Sequence, residues 1–266
     1  MDAGKQRAIL FDMTRCSGCK ECVAACMTKQ GFKGDPEQVT DLSATSYTAV
    51  YEKDFDGDEY SYRNLCRHCV EPSCASVCPV GAFEKTELGP VVYDADKCMG
   101  CRYCMTACPF NIPRYEWDSP VPAVRKCNMC IDRLEEGKLP MCAEVCPNEA
   151  TVAGTREELL ADAHARIEED PDEYHPHVYG EHEIGGTNVL FLSPQPIEEL
   201  GFKASLGNQP LPAYTWRVLE KIPGIALTAG ATMVALWWLT ERRNDVMAHE
   251  ARTKREGGPR HNGRSA

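Results

Sequence analysis

The sixteen cysteines of this 266-residue chain fall into four motifs, and none lies outside them. The first and third motifs share the spacing C-x2-C-x2-C-x3-C, and each follows three apolar residues and an aspartate, Asp12 or Asp94. The second and fourth motifs have four and eleven residues between their middle cysteines, and both end in Cys-Pro. In chain order the motifs are Cys16, Cys19, Cys22 and Cys26; Cys66, Cys69, Cys74 and Cys78; Cys98, Cys101, Cys104 and Cys108; and Cys127, Cys130, Cys142 and Cys146.

The tighter spacing is the one that bacterial ferredoxins use to hold a 4Fe–4S cluster. A cubane has four iron corners that each take one thiolate, and C-x2-C-x2-C is short enough to wrap three of them. The fourth cysteine, one helical turn further on, ligates the neighbouring cluster. Gly18 and Gly100 let the backbone pass close to the inorganic core. The sequence therefore predicts four 4Fe–4S clusters with all sixteen cysteines as ligands.

Two other uses of cysteine fit this spacing less well. Disulfides need an oxidising compartment and usually occur in small domains with looser spacing. Structural zinc normally uses two separated C-x2-C pairs, so a third cysteine three residues beyond a pair is unusual for it. The fourth motif alone, with eleven residues between Cys130 and Cys142, passes for a zinc site. Its likeness to the second motif favours a cluster there as well.

The repeated order of motifs predicts an α+β fold, a duplicated bacterial two-cluster ferredoxin with an insertion in each half, over residues 1–150. A strand at Ala8–Phe11 feeds the first cysteine loop, and residues 27–62 form an insertion with a hairpin. Thr155 opens a capping box, and therefore a helix, in an extension at 151–215 that we expect to dock on partner subunits.

Ile222–Thr240 is an uncharged apolar stretch near the end of the chain. Its nineteen residues span about 28 Å as a helix, close to the thickness of a bilayer's hydrocarbon core. Trp237 and Trp238 suit an interfacial belt. The alternative is a buried core helix, but the length and position favour a transmembrane helix within 216–243, followed by a disordered tail at 244–266.

The charges around this stretch suggest an orientation. Basic residues are more frequent after this stretch than shortly before it. The positive-inside rule therefore places the tail in the cytoplasm and the cluster domain on the periplasmic face. The alternative is a cluster domain on the cytoplasmic face. The N-terminus shows no apolar h-region and no twin arginine, so we expect export on a partner's signal. A net charge of −11 argues against a nucleic-acid partner.

Other polar and aromatic residues have both a functional and an ordinary interpretation. Cations near the cysteines either tune cluster potentials or serve solubility. Loop histidines suggest a metal site, but exposed loop residues are the simpler account. Two aromatics after the third motif suit packing better than electron relay. These residues are Lys20, Arg67, Arg102 and Lys126; His175, His177 and His182; and Tyr115 and Trp117.

Four cubane motifs in this order resemble the iron–sulfur subunits of the molybdopterin (dimethyl-sulfoxide-reductase-type) oxidoreductases. The single C-terminal span is similar to that of the formate-dehydrogenase-N and hydrogenase-2 types. Tyr174–Leu192, which contains H-x-Y-G-E-x-E-x-G-G-T, is similar to the hydrogenase-2 electron-transfer subunit in particular. That subunit has its own twin-arginine leader, whereas the absence of one here resembles the formate dehydrogenase subunit.

The resemblance implies which cysteines share a cluster. Four sets follow: Cys16, Cys19, Cys22 with Cys146; Cys127, Cys130, Cys142 with Cys26; Cys66, Cys69, Cys74 with Cys108; and Cys98, Cys101, Cys104 with Cys78.

The resemblance also implies a non-catalytic subunit that relays electrons between a large catalytic subunit, carrying molybdopterin or NiFe, and an integral-membrane cytochrome b or quinone-binding subunit. Residues 222–240 contact lipid. The alternatives are a subunit of a polysulfide, thiosulfate or DMSO reductase and a free polyferredoxin carrier. A self-contained enzyme is disfavoured because the sequence has no Gly-rich nucleotide loop and no nucleophile motif beside the cysteines.

Overall fold

The computed structural model describes residues 5–256 apart from 56, 121 and 204. It divides into two units, Met1–Ala213 and Tyr214–Ala266. The predicted boundary at residue 150 is therefore not a boundary of the structure. The reason is that strands from beyond residue 150 complete the sheet that begins at the N-terminus, so the predicted extension folds with the cysteine motifs.

That sheet has three strands, with β1 (Arg7–Asp12) in the centre. β8 (Thr151–Thr155) pairs with β1 antiparallel, and β9 (Val189–Leu192) pairs with it parallel. Ile9 stands opposite Ala153 on one side and Val189 on the other. A parallel neighbour requires a crossover, and the long helix α6 (Arg156–Glu169) lies in the segment between β8 and β9.

The alternation of side chains along β1 separates two apolar cores. Ala8 and Leu10 pack with Leu159 and Ala163 of α6. Phe11 points the other way, into a core that includes Met129 and Leu134 and is lined by several of the cysteines. The sheet is thus covered by a helix on one face and by the cysteine loops on the other.

The remaining elements of the first unit are short, as expected where metal ligation supplies much of the order. The hairpin predicted within the first insertion is present, although it runs past residue 62. These elements are α1 (Glu21–Gln30), β2 (Thr48–Phe55), β3 (Asp58–Leu65), α2 (Ser73–Ser76), β4 (Phe83–Lys85), β5 (Val91–Tyr93), α3 (Tyr103–Ala107), β6 (Arg114–Tyr115), β7 (Val124–Arg125), α4 (Ile131–Glu135) and α5 (Met141–Glu144).

The predicted capping box at the start of α6 is confirmed. The Thr155 hydroxyl accepts a hydrogen bond from the Glu158 amide at 3.3 Å, and the Glu158 carboxylate accepts one from the Thr155 amide at 3.0 Å. Both donors belong to the group at a helix N-terminus that has no intrahelical partner. The helix ends at Glu169, before Pro171, because a proline cannot continue it.

The second unit is helical. Helix α8 spans Ile222–Glu256 and follows α7 (Leu211–Leu219), which begins in the first unit. Taken together as Leu211–Glu256, this stretch is long and apolar enough to cross a membrane, with a mean hydropathy of 1.6 in its most apolar window and none of that window buried. Such a helix fits a membrane anchor by its length and composition.

The prediction of a disordered tail from residue 244 is wrong for residues 244–256, which continue α8. The physical reason is that this segment has no glycine or proline and is rich in Ala, Arg and Glu, which propagate a helix. The rest of the predicted tail, 257–266, lies outside the described residues.

Candidate functional site

The first and third cysteine motifs have the same backbone shape. The residue before α1, Lys20, and the residue before α3, Arg102, both have a left-handed conformation, with φ of 55° and 63°. Gly18 and Gly100 occupy the same place in each loop, also at positive φ. These turns bring the first two cysteines of each motif, and the third, which is the second residue of the helix, around one space.

The second and fourth motifs are also alike in backbone. Pro72 precedes α2 and Pro140 precedes α5, and the third cysteine of each motif, Cys74 or Cys142, is the second residue of that helix. Proline before a short helix suits the first turn, because the donor it lacks has no intrahelical partner there. The differing loop lengths, four and eleven residues, therefore lead to the same local geometry.

The folded chain brings cysteines from different motifs together in sets of four, and we number these sets 1 to 4. Sets 1 and 2 each line a pocket. Thiol set 1 is Cys16, Cys19, Cys22 and Cys146, and thiol set 2 is Cys26, Cys127, Cys130 and Cys142.

Thiol set 3 is recognised from the electrostatics of its buried members. Burial raises the pKa of Cys69 well above its ordinary value, and neighbouring thiols raise it further: Cys66, Cys108 and Cys74. Cys66 and Cys108 also pack in one apolar core. Thiol set 3 is Cys66, Cys69, Cys74 and Cys108.

Thiol set 4 is Cys78, Cys98, Cys101 and Cys104. Burial raises the pKa of Cys104 to about 11, the Met105 amide opposes this, and Cys98 and Cys101 add to it. Cys78 packs in the same apolar core as Cys104. Backbone amides, including that of Ala82 at 3.2 Å, outweigh burial and lower the pKa of Cys78.

The four sets follow one another in the order 1–2–3–4. Successive sets are connected by pairs of neighbouring thiols. In each pair, burial raises the pKa of one thiol, and the other thiol raises it further. These pairs are Cys142 beside Cys22, Cys66 beside Cys127, and Cys104 beside Cys74. The arrangement is a continuous path of thiols through the first unit.

The spacing of the thiols suits a group larger than one ion. All sixteen are free. Within residues 5–256, excluding the three undescribed positions, no three His, Cys, Asp or Glu side chains stand close enough to hold a single metal ion. Sulfur lies only about 2.3 Å from a bound zinc ion, whereas a cubane bears each thiolate on a different iron corner and keeps the thiolates further apart.

Buried cations beside the thiols provide a test of whether an anionic cluster fits. Arg63, Arg67 and Lys126 are 1%, 3% and 7% exposed, and Lys85 is half-buried. In the described part of the chain, none of the four forms an ion pair with a carboxylate. A buried charge needs compensation. Thiolates carrying a cluster supply it, so the residues fit the group.

Arg63 serves two sets at once. Burial lowers its pKa, but the thiols of Cys142 and Cys22 outweigh burial and hold the pKa above its ordinary value. Its guanidinium donates to the Thr48 hydroxyl at 2.7 Å and to the Thr151 hydroxyl at 3.3 Å. The side chain is thereby fixed between thiol sets 1 and 2.

Arg67 and Lys85 lie beside set 3. Burial lowers the pKa of Arg67 to about 10, against the opposing effect of Tyr179 and of Cys66. Its guanidinium stands 4.3 Å from the Phe191 ring centroid, a cation–π contact. Burial likewise lowers the pKa of Lys85 to about 8, while Cys69 opposes the change.

The four cations named from the sequence are not equivalent in the structure. Arg67 and Lys126 are buried beside the thiols, as a tuning role requires. Lys20 instead forms an ion pair with Glu37 at 3.5 Å. Arg102 is exposed and stacks on Trp117, 5.2 Å from the ring centroid.

Two functional candidates, Arg63 and Lys85, are absent from the sequence predictions. A signal for Arg63 exists, because in β3 it is in phase with Ser61 and Leu65, all of which point inward. A charged residue on the buried side of an alternating strand indicates a buried partner. For Lys85 no comparable signal exists in its three-residue strand.

The loop histidines do not form a metal site among the described residues. His177 pairs with Glu183 at 2.6 Å, and His182 lies 3.6 Å from Glu181. Tyr115 and Trp117 pack edge to face, 5.0 Å between ring centroids. These contacts are what the ordinary interpretation of both groups expects.

Sequence comparison agrees with this geometry. Residues 59–156 match the profile of the 4Fe-4S dicluster domain. Together with the thiol sets, the match defines a 4Fe–4S ferredoxin-type protein of mixed helix and strand, with one apolar C-terminal helix.

Several curated proteins are similar over much of their length. The hydrogenase-2 operon protein HybA of Escherichia coli O157:H7 is 39% identical over 233 residues, covering 72% of this chain and 71% of that protein. The nitrate-inducible formate dehydrogenase iron–sulfur subunit of Escherichia coli strain K12 is 35% identical over 199 residues, 70% and 67%. The chain YnfG of the same strain, a probable anaerobic dimethyl sulfoxide reductase chain, is 39% identical over 168 residues, 58% and 76%. The chain belongs to the family of iron–sulfur subunits that these proteins represent.

Proposed function

We propose that the chain is the electron-transfer subunit of a membrane-bound oxidoreductase and that each thiol set holds one 4Fe–4S cluster. The observation that carries the proposal is the continuous order of four thiol sets, with buried and otherwise uncompensated cations beside them. When bound, the clusters supply one-electron transfer.

The chain's own residues position and insulate that path. The sixteen thiols are the ligands, and the backbone amides of Gly100 and Met129 donate to Cys98 and Cys127 at 3.4 and 3.2 Å. Phe11 and Met129 exclude water from the core that sets 1 and 2 share. Arg63 balances charge between these sets. We further propose that the motifs arose by duplication, which the equal spacing and turn geometry of the first and third motifs support.

Two partners are proposed, one at each end of the path. A catalytic subunit of formate dehydrogenase or [NiFe] hydrogenase type lies at set 1, whose Cys19 is exposed. An integral-membrane cytochrome b or quinone-binding subunit lies at set 4. Three of the most exposed apolar side chains of the first unit surround set 4: Met99, Tyr103 and Trp117, at 65%, 61% and 66% exposure. Aromatic residues and methionine are typical of subunit interfaces.

The choice of the membrane subunit for set 4 follows from where the chain leaves the first unit. Pro210, just before α7, packs on Gly185. The Val70 amide donates to the neighbouring Gly186 carbonyl at 3.0 Å, next to Cys69 of set 3. These contacts lie at set 3, which is one step from set 4 and two steps from set 1 along the path, so we assign set 4 to the membrane subunit.

A photo-crosslinking amino acid at Trp117 of the intact complex tests this assignment. We expect a cross-link to the membrane subunit, whereas the same probe at Ser17, exposed beside set 1, should capture the catalytic subunit. The reverse result would contradict the assignment of the ends.

We propose that α8 spans the membrane, that residues 222–240 contact lipid, and that the first unit lies on the periplasmic face. Support comes from the bias of basic residues, with Arg242 and Arg243 directly after the apolar stretch and only Arg217 and Lys221 shortly before it. A fluorescent protein fused after Ala266 should mature on the cytoplasmic side. Protease digestion of that fusion from the cytoplasmic side checks this orientation.

Metal and sulfide analysis of this chain, purified anaerobically away from partner subunits that carry iron of their own, tests the function itself. We expect about sixteen iron and sixteen sulfide per chain, as four cubanes require. The isolated chain should accept electrons from an artificial donor but turn over no substrate. A chain that holds zinc, or that shows substrate-specific turnover alone, refutes the proposal.

A further inference from the structure

Among the described residues, thiol set 3 has more buried or half-buried basic side chains without a carboxylate partner than the other sets. Arg67 follows Cys66 directly and donates to the Leu65 carbonyl at 3.0 Å. The Lys85 ammonium donates to the carbonyl of His68, the residue before Cys69, at 3.2 Å. These contacts hold both positive charges against the loop that carries the first two cysteines of the set.

Lys126 is the third cation of this group. Its ammonium donates to the Val91 carbonyl and, at 2.9 Å, to the Cys127 carbonyl. It also lies 5.8 Å from the centroid of the Phe83 ring, which packs in the apolar core that includes Cys74. Lys126 therefore stands between the strand β5 and the second half of set 3.

These three cations differ from those beside the other sets in what balances them. Lys29, near Cys130 of set 2, is paired with Asp132. Lys97, next to Cys98 of set 4, is exposed and paired with Asp94 at 3.2 Å. Arg67, Lys85 and Lys126 have no carboxylate partner among the described residues. Sets 1 and 2 share the buried charge of Arg63. Lys126 contacts the backbone carbonyl of Cys127 in set 2, but the thiol on which its charge acts is Cys74 of set 3.

An uncompensated buried cation acts strongly on a neighbouring redox group. Adding an electron makes a cluster more negative, so nearby positive charge stabilises the reduced state and raises the reduction potential. The effect is large where water is excluded and is weakened by solvent and counterions at the surface. Amide hydrogen bonds to sulfur act in the same direction at sets 2 and 4, but they are partial charges.

We propose that the cluster of thiol set 3 has the most positive reduction potential of the four, and that Lys85 and Lys126 are positioning residues that raise it. The inference rests on the proposed function. It places the preferred resting position of a single electron one step before the end of the path at set 4.

An anaerobic redox titration of the intact complex, followed by electron paramagnetic resonance, tests this inference. We compare the wild type with Lys85→Met and Lys126→Met, which remove the charge but keep an unbranched apolar side chain. The expected result is that the same reduction step, the one at the most positive potential in the wild type, moves to more negative potential in both variants. The other three steps stay in place.

The controls separate charge from structure. Lys97→Met removes an exposed, paired cation and should move no step. Lys126→Arg keeps the charge and should restore the position of the step that Lys126→Met moves. Iron content near the wild-type level establishes that each variant is loaded, and if Lys126→Met loses iron then Lys85→Met decides.

Three results would overturn the inference: no step moves in a fully loaded Lys85→Met variant, the step that moves is not the most positive, or Lys97→Met has an equal effect. A wild-type complex in which fewer than four of the reducible clusters belong to this chain would instead refute the proposed function. The two failures are thus distinguished by the same titration.

Discussion

Asp12 and Asp94, which precede the first and third cysteine motifs, show how equal sequence leads to partly different roles. Each carboxylate accepts a hydrogen bond from the backbone amide two residues further on: Asp12 from Thr14 at 3.1 Å, and Asp94 from Asp96 at 3.0 Å. This arrangement is an Asx turn, and it shapes the start of the loop. Only Asp12 is buried, and there it also accepts from Arg166 at 2.8 Å and from the Tyr174 hydroxyl at 3.0 Å. The repeat predicts the turn, but not the buried network.

Substitution of Asp12 should therefore cost more than substitution of Asp94. Asp12→Asn keeps the turn but removes the charge opposite Arg166, and we expect a loss of about 2 kcal/mol in the free energy of unfolding. Asp12→Ala also removes the turn and should cost about 3–4 kcal/mol. Asp94→Ala, at a half-buried position where the carboxylate makes the turn but no buried network, is the matched control and should lose only about 1 kcal/mol. Anaerobic thermal unfolding of the loaded protein measures all three, and an equal loss at both aspartates would contradict the argument.

His177 and Glu183 form a pH-dependent pair away from the thiols. The hydrogen bond to Glu183 raises the pKa of His177 above 6.5, against the opposing effect of burial. Burial raises the pKa of Glu183, but His177 and backbone amides outweigh it and hold that pKa below 4.5. Glu181 and Glu198 also face His177 and favour its charged form.

The pair should stabilise the fold most between about pH 4.5 and 6.5. The contribution of His177 is fully present below 6.5 and is lost as the pH rises through its raised pKa. The contribution of Glu183 is present above 4.5 and is lost as the pH falls through its lowered pKa. We expect His177→Gln to lower the thermal midpoint at pH 5.5 and to have little effect at pH 9. A deficit that does not change with pH would contradict an ionic role.

At the scale of elements, the fold depends on short segments that lock onto the central sheet. The turn between β4 and β5 is an example, since the Leu88 carbonyl accepts a hydrogen bond from the Arg7 backbone amide of β1 at 2.7 Å. Gly89 in this turn has φ of +111°. A Cβ there would stand 2.4 Å from the side-chain Nδ2 of Asn188 and 2.9 Å from the backbone carbonyl oxygen of Arg7. The glycine is needed for both its conformation and its lack of a side chain.

Gly89→Ala should accordingly destabilise the protein by about 3 kcal/mol or more, because strain and a backbone clash add. Gly137→Ala is the control: it has φ of +74° but open space around it, so only the conformational cost of about 1–2 kcal/mol applies. The difference in unfolding midpoint between the two variants measures how much the close contact of Gly89 with Arg7 and Asn188 adds to the conformational cost. Equal midpoints would show that the turn moves away from β1 without penalty.

At the scale of the whole molecule, the chain consists of a cysteine-bearing unit and a helical unit that serve separate purposes. The sheet β8–β1–β9, both apolar cores around it and all four thiol sets lie within Met1–Ala213. The apolar stretch of α8 has none of its most hydrophobic window buried. We therefore expect folding and cluster ligation to depend on the first unit, and membrane attachment to depend on the second.

Removal of residues 214–266 should release the chain from membranes without loss of clusters. We expect the truncated protein to stay in the aqueous phase without detergent and to keep about sixteen iron atoms. Replacing Ala231 and Val234, near the middle of the apolar stretch, with lysine in the full chain is a matched test of the anchor alone, since charge at the bilayer centre is costly. If the truncated chain remains in the membrane fraction or loses its iron, the division of roles is wrong.

The sequence by itself determined the cluster chemistry, because cysteine spacing is local: a loop of two or three residues either reaches the corners of a cube or does not. The same holds for the capping box at Thr155 and for the apolar stretch in α8, whose signals lie within one turn or one segment. The ligand partition came from resemblance, and the thiol sets in the folded chain have the same membership.

Only the tertiary structure decided how distant segments meet. No local pattern links β1 with β9, which are about 180 residues apart, so the sequence did not predict that segments on either side of residue 150 share one sheet. The order of the thiol sets and the uncompensated charges of Arg63, Arg67, Lys85 and Lys126 are likewise properties of packing. Whether a cation is buried and what stands opposite it depend on side chains far along the chain, and local sequence does not encode them.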